Sequence, residues 1–277
     1  MVGINVLQTF LFPPPPSVFV TAMSFISFGS LANAGFSELK GKHMQYSKFL
    51  NWNPNNQQKN PSSTITQQKS KLSSKIGMAI LYTPAFLFGF ASLFIFPDEG
   101  LRFFLLRFTL TIHFLKRVLE VLFVHRFGGS GVARDAAIPI ALSYFLSTVT
   151  MIYAQYLSVE FSEPSFDLKY AGVVLFLLGI VGNFYHHYIL ATLRGKGEKE
   201  YKIPKGGLFN LVICPHYLFE VLGFVGVSCI AQTPYTLSFT AGTTLYLMGR
   251  SYATKKWYLS KFEDFPRDLK AFLPFIF

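Results

Sequence analysis

Long apolar runs broken by short polar segments set the pattern of this chain. Five stretches are nearly free of charge: 17–37, 77–97, 136–158, 170–193 and 206–232. Each meets or approaches the roughly 20 apolar residues that a helix needs to cross the hydrocarbon of a bilayer. Two more, 101–125 and 234–249, are also apolar, the first carrying charges and the second being short. Within a bilayer only helices and closed barrels satisfy every backbone group, so runs of this length predict an all-α, polytopic membrane protein of about seven transmembrane helices. No internal repeat is visible, and residues 1–277 are expected to form a single integral membrane domain.

Composition agrees. The chain is 51% hydrophobic with 32 Phe, and only 14% of its residues are charged, against about 25% in a soluble domain. A net charge of +11 would suit nucleic acid, but its distribution argues against such a partner. Segment 38–75 holds seven Lys and one Glu, loop 126–135 adds Arg126 and Arg134, loop 194–205 adds five cations, and the tail from Arg250 adds six. The alternate loops, 97–100, 159–167 and 232–234, are acidic or neutral. That alternation is the positive-inside pattern of cytosolic loops, with a lumenal N-terminus and a cytosolic C-terminus. The first charged residue is Glu38, so no basic n-region marks a cleavable signal, and 17–37 is expected to be a retained span behind the stiff PPPP at 13–16. The Asn-, Gln-, Ser- and Lys-rich composition of 51–75 makes 38–75 a flexible basic cytosolic loop in expectation. Cys214 and Cys229 share one apolar segment and imply neither a disulfide framework nor a thiolate metal site.

Ionisable groups inside apolar spans are costly, and they point to function. Three clusters stand out, each toward the cytosolic end of its span. In HFLKRVLEVLFVHRF (113–127), Glu120 follows Lys116 by four residues and Arg117 by three, so it can pair with either, with His113 on the same face. The bland reading is a structural ion pair. In GNFYHHYILATLR (182–194), Asn183, His187 and Arg194 form one polar stripe. Adjacent histidines invite a metal reading, but the repeated His boxes of membrane di-iron oxidases are absent from six His in all, and no metal is expected. In CPHYLFEV (214–221), Pro215 is expected to interrupt the helical ladder, with His216, Tyr217 and Glu220 sharing a face; the alternative is a kink with a locally satisfied Glu. The basic loop 194–209 suits phosphates by charge, yet its cations also follow from topology alone. No Rossmann or P-loop signature is present.

The run GNFYHHYILATLRGKGEKEYKIPKGGLF, then CPHYLFE, then GRSYATKKWYLSKFEDFPRDLKAFLPFIF resembles the C-terminal half of steroid 5-alpha-reductases. Arg250, Trp257-Tyr258-Leu259, Phe262-Glu263-Asp264, Pro266 and Ile276-Phe277 carry the tail pattern. HFLKRVLEVLFVHRF and CPHYLFEV are more similar to the related trans-2-enoyl-CoA reductases of very-long-chain fatty acid elongation. Residues 113–277 thus read as a steroid 5-alpha-reductase-like catalytic region, and 1–112 match loosely. The resemblance implies a multi-pass endoplasmic reticulum enzyme with its active site toward the cytosol. It would use NADPH to reduce a carbon–carbon double bond conjugated to a carbonyl in a small lipid.

By position, the resemblance implies a cofactor wall of Asn183, His187, Arg194, Tyr201, His216, Glu220, Arg250 and Tyr258. His187 stands where steroid reductases carry Asp, His216 where both groups carry Asn, and Thr254 replaces a His. The steroid reductases' catalytic Glu and Tyr align with Tyr82 and Phe114. Enoyl-CoA reductases instead imply Tyr217 as proton donor with Lys116 assisting, and Tyr82 is the substitute candidate. Glu120, Arg117 and His113 are expected to support them. The tail favours a 3-oxo-Δ4-steroid and the central motifs a trans-2-enoyl-CoA thioester, with the balance narrowly on the steroid side. A methyltransferase on a similar scaffold and a catalytically silent membrane protein are the remaining readings.

Overall fold

A computed structural model describes residues 9–50, 52, 71–96, 100–128, 131–195, 198 and 200–277, apart from the side chain of Ser47. Seven long α-helices occur among these: α1 Val18–Leu39, α2 Ser74–Ile95, α3 Gly100–Leu119, α4 Arg134–Tyr156, α5 Lys169–Thr192, α6 Pro215–Ala231 and α7 Pro234–Lys261. The fold is mainly α. Four of them (α1, α2, α4 and α5) are long and apolar enough to cross a membrane. Their outer faces carry bare apolar side chains: Phe25 is 75% exposed, Phe94 70% and Val181 64%. A surface of that kind belongs in lipid rather than water.

Two boundaries differ from expectation. The run 206–232 is not one span: a 3-10 turn at Gly207–Asn210 precedes α6, and Pro215 begins that helix rather than kinking it. Proline is well tolerated at the first helical position, where its missing N–H would have no partner anyway. The Leu211 carbonyl, which Pro215 cannot serve, accepts from the Lys270 N–H at 3.3 Å. The run 234–249 is the start of α7, which continues through Lys261 because the polar stretch 250–261 holds no helix breaker. Of segment 38–75, residues 51 and 53–70 lie outside the described residues. The described part is packed: Glu38, His43 and Phe49 are buried, and Lys71–Leu72 pairs antiparallel with Val132–Ala133.

The helices assemble in close pairs, α5 with α6 and α1 with α7, while α2 packs on α3 and α4. Without much hydrophobic drive between helices in lipid, small residues let backbones meet. A Cβ on Gly172 would lie 2.6 Å from the Gly226 carbonyl oxygen, and one on Gly179 would lie 2.5 Å from Gly223 Cα. Gly179→Ala is therefore expected to destabilise the protein by about 1–3 kcal/mol. A fall in Tm in detergent checks this, and an unchanged Tm would show that α5 and α6 separate freely. A core of Phe103, Leu106, Met151, Phe176, Phe224 and Phe239 fills the bundle. At one end, buried Arg102 is held by Glu163, Asp167 and Gln232 from the acidic loop side. The other end carries the polar site.

Candidate active site

At that second end an open cavity of about 240 Å³ forms between α5, α6, α7, the π-turn after α3, and the segments around Tyr46, Val132 and Tyr201. Of the sequence candidates, His187, Arg194, Tyr201, His216, Tyr217, Arg250, Tyr258 and Arg117 line it. Asn183, Glu220, Lys116, Tyr82, Glu120 and His113 do not. Most of this second group stands behind the wall, as a buried polar network.

Glu120 is the hub of that network. Helix α3 gives way to a π-turn at Glu120–Val124, closed by the His125 N–H on the Glu120 carbonyl at 2.7 Å. Such turns re-aim side chains and recur at functional sites. The Glu120 carboxylate receives Lys116 at 2.9 Å, Arg117 at 2.8 Å and His187 at 3.1 Å. Arg117 also donates to the Tyr82 hydroxyl at 2.7 Å, and Tyr82 stacks on Tyr144. Lys116 donates to Asn183 Oδ1, while Asn183 Nδ2 donates to the His216 carbonyl at 2.6 Å and faces Glu220 at 3.4 Å. Paired and hydrogen-bonded in this way, the charges escape the cost of isolated burial. His113 sits apart, against the rings of Phe114 and Phe224.

The adjacent histidines divide their work. His186 bridges Gly182 O and the Leu208 N–H, at 2.7 and 3.1 Å, which fixes Nδ1 as donor and Nε2 as acceptor. This contact needs the tight turn at Gly206 and Gly207, whose φ angles of 92° and 53° suit glycine. His187 turns inward. Glu120, His125 and His187 bring ligand-type atoms within 4.8 Å of one another. Arg117 Nη1, however, lies 2.8 Å from Glu120 and 3.0 Å from His187. A metal cation there would face a fixed positive charge, so the chemistry of this set favours the guanidinium.

Several wall residues carried no signal in the sequence. Tyr46, Lys48, Phe49, His125 and Arg126 all line the cavity. Arg250 reaches it too, but its Nη1 pairs with buried Glu38 at 2.7 Å, and its guanidinium stacks on Phe49 and Tyr46 at 3.8 and 4.2 Å. His43 holds the other Glu38 oxygen at 2.6 Å. Arg250 thus ties α7 to the segment after α1. Tyr217 packs on His216 with ring centroids 4.3 Å apart. Its hydroxyl engages no protein hydrogen-bond partner among the described residues. Tyr201 lies between Arg194 at 4.3 Å and Trp257 at 4.8 Å.

Such a wall can take a polyanionic, ring-bearing ligand, with a free phenol beside it as a proton donor. Comparison with known proteins narrows the family. A steroid 5-alpha-reductase of Gossypium hirsutum is 40% identical over 108 residues, covering 39% of this chain and 42% of that protein. A 3-oxo-5-alpha-steroid 4-dehydrogenase 2 of Macaca fascicularis is 37% identical over 134 residues, or 48% and 52% of the two chains. A very-long-chain enoyl-CoA reductase of Dictyostelium discoideum is 30% identical over 172 residues, or 60% and 55%. The chain spans about half the length of these relatives. A family model described as 3-oxo-5-alpha-steroid 4-dehydrogenase matches residues 136–277, and the chain belongs to that family.

Proposed function

We propose that this chain is a multi-pass membrane reductase of the endoplasmic reticulum. It would cross the bilayer about seven times, with a lumenal N-terminus, a cytosolic C-terminus and the cavity open to the cytosol. Its reaction is the NADPH-dependent reduction of a carbon–carbon double bond conjugated to a carbonyl in a lipid, a 3-oxo-Δ4-steroid in the first reading. The observation that carries this is an unpartnered Tyr217 hydroxyl on a cavity rich in cations and without Asp or Glu among its described lining residues. The wall fits the cofactor: cations for phosphates, and Tyr201 and Tyr258 for ring contact. NADPH, when bound, supplies the hydride.

The protein's own part is to bind, orient and move a proton. Arg194 and Tyr201 hold the phosphate end, and His187 and His216 form the inner wall beside Tyr217. Asn183 and Glu220, standing behind, position the start of α6 through the His216 carbonyl. The Tyr217 phenol donates a hydrogen bond, and then a proton, to the reduced substrate. Glu120, Arg117 and Lys116 keep this end of the bundle rigid, which preorganises the donor. Residues 113–277 act as the catalytic region of one membrane domain. A trans-2-enoyl-CoA thioester is the second reading, favoured by the longer match to the Dictyostelium enzyme. Microsomes expressing the chain, given NADPH with progesterone or a long trans-2-enoyl-CoA, test both. Consumption of one substrate above vector control is expected, and consumption of neither, nor of a related enone, would refute the reductase reading.

A further inference from the structure

The cavity carries more positive charge than nearby carboxylates balance. Six cations reach its wall: Lys48, Arg117, Arg126, Arg194, Lys202 and Arg250. Three are paired, Arg117 with Glu120, Lys202 with Glu198 and Arg250 with Glu38. Lys48, Arg126 and Arg194 have no carboxylate partner among the described residues. Arg126 and Arg194 instead exchange hydrogen bonds with each other's backbone carbonyls, which fixes two like charges side by side. Lys48 Nζ lies over the rings of Tyr258, Trp257 and Phe49, at 5.0, 5.4 and 5.6 Å. Ring faces attract a cation without neutralising it. Like charges gathered around a partly enclosed space call for a multivalent anion.

We propose that Lys48, on the segment between α1 and α2, joins Arg126 and Arg194 in a clamp for a phosphomonoester on adenosine ribose. Lys48 would thereby distinguish a phosphorylated adenine nucleotide from its unphosphorylated counterpart. The inference deepens the cofactor reading above and rests on it. Two planar guanidinium forks suit phosphate oxygens bidentately, and an ammonium adds a movable point charge. NADPH and coenzyme A share this phosphomonoester on adenosine ribose, and NADH and dephospho-coenzyme A lack it. Burial, with the nearby charges of Arg250 and Arg194 and against the opposing pull of Cys214, brings the Lys48 ammonium down to about 8. Its charge is therefore present at neutral pH and lost above about pH 8.

The test is binding to the full chain in detergent. NADPH and NADH are followed by nicotinamide fluorescence, and coenzyme A and dephospho-coenzyme A by competition. Lys48→Met is expected to weaken NADPH about tenfold and to leave NADH within about twofold, the scale of one charge-assisted hydrogen bond. Lys48→Arg should retain the preference. Wild-type NADPH affinity should fall between pH 7 and pH 9, and that of Lys48→Arg should stay level. A loss confined to coenzyme A against its dephospho form supports the clamp and moves it to the substrate. Equal losses for phosphorylated and unphosphorylated ligands, or no loss for any, overturn it. A wild-type chain that binds coenzyme A but neither dinucleotide overturns the cofactor reading and leaves the clamp standing; one that binds none overturns both.

Discussion

Tyr217→Phe is expected to lower turnover by about 10²–10⁴-fold while NADPH affinity stays within about twofold. The substitution removes the one phenolic oxygen of a residue that lines the cavity and leaves its ring packed against His216. The rival donor, Tyr82, is differently placed. Its hydroxyl is taken by Arg117 at 2.7 Å, its ring lies against Tyr144, and it does not line the cavity. Parallel kinetics on Tyr82→Phe and Tyr217→Phe, with direct cofactor titration, separate the two. Loss confined to Tyr82→Phe would transfer the donor role, and an equal loss of turnover and cofactor binding in Tyr217→Phe would make Tyr217 a cofactor residue.

Glu38→Leu is expected to destabilise the protein by about 3–5 kcal/mol, because it leaves a buried guanidinium without its counter-charge. Glu38 and Arg250 are each 1% exposed, and the carboxylate also holds His43 and the Met44 N–H, at 2.6 and 3.1 Å. Replacing both partners, Glu38→Leu with Arg250→Met, should recover much of the loss, since two apolar side chains leave no orphan charge. Thermal unfolding of the three variants in one detergent measures the coupling. Additive losses would show that the pair is not energetically linked.

How much was legible depended on range. Apolar run 17–37 became Val18–Leu39 and 136–158 became Arg134–Tyr156, because sustained hydrophobicity is read without knowing any neighbour. Glu120 with Lys116 and Arg117 was legible for a similar reason, a helical spacing of three and four. Pro215 misled because a proline inside an apolar run and one opening a helix look alike until the preceding turn is known. The Glu38–Arg250 pair joins residues 212 apart and leaves no periodic trace. Its one hint was a lone acid among the lysines of 38–75. Lys48 was hidden by its company, since topology alone accounts for a lysine in a basic loop. Arg126 and His125 follow a π-turn, whose extra residue breaks the helical register by which a face is traced.

The pairing of α1 with α7 also sets an order for biosynthesis. Among the described residues the first of the seven long helices meets the last, so Glu38 leaves the ribosome long before residue 250 exists to neutralise it. Until then its polar partners among the described residues come from its own segment, His43 and Met44. The guanidinium that neutralises this helix end therefore arrives only after α2 to α6 have been made. The cavity, walled by residues from Tyr46 to Tyr258, closes only when synthesis is nearly complete. A chain arrested before α7 lacks both the Arg250 counter-charge of Glu38 and the α7 wall of the cavity.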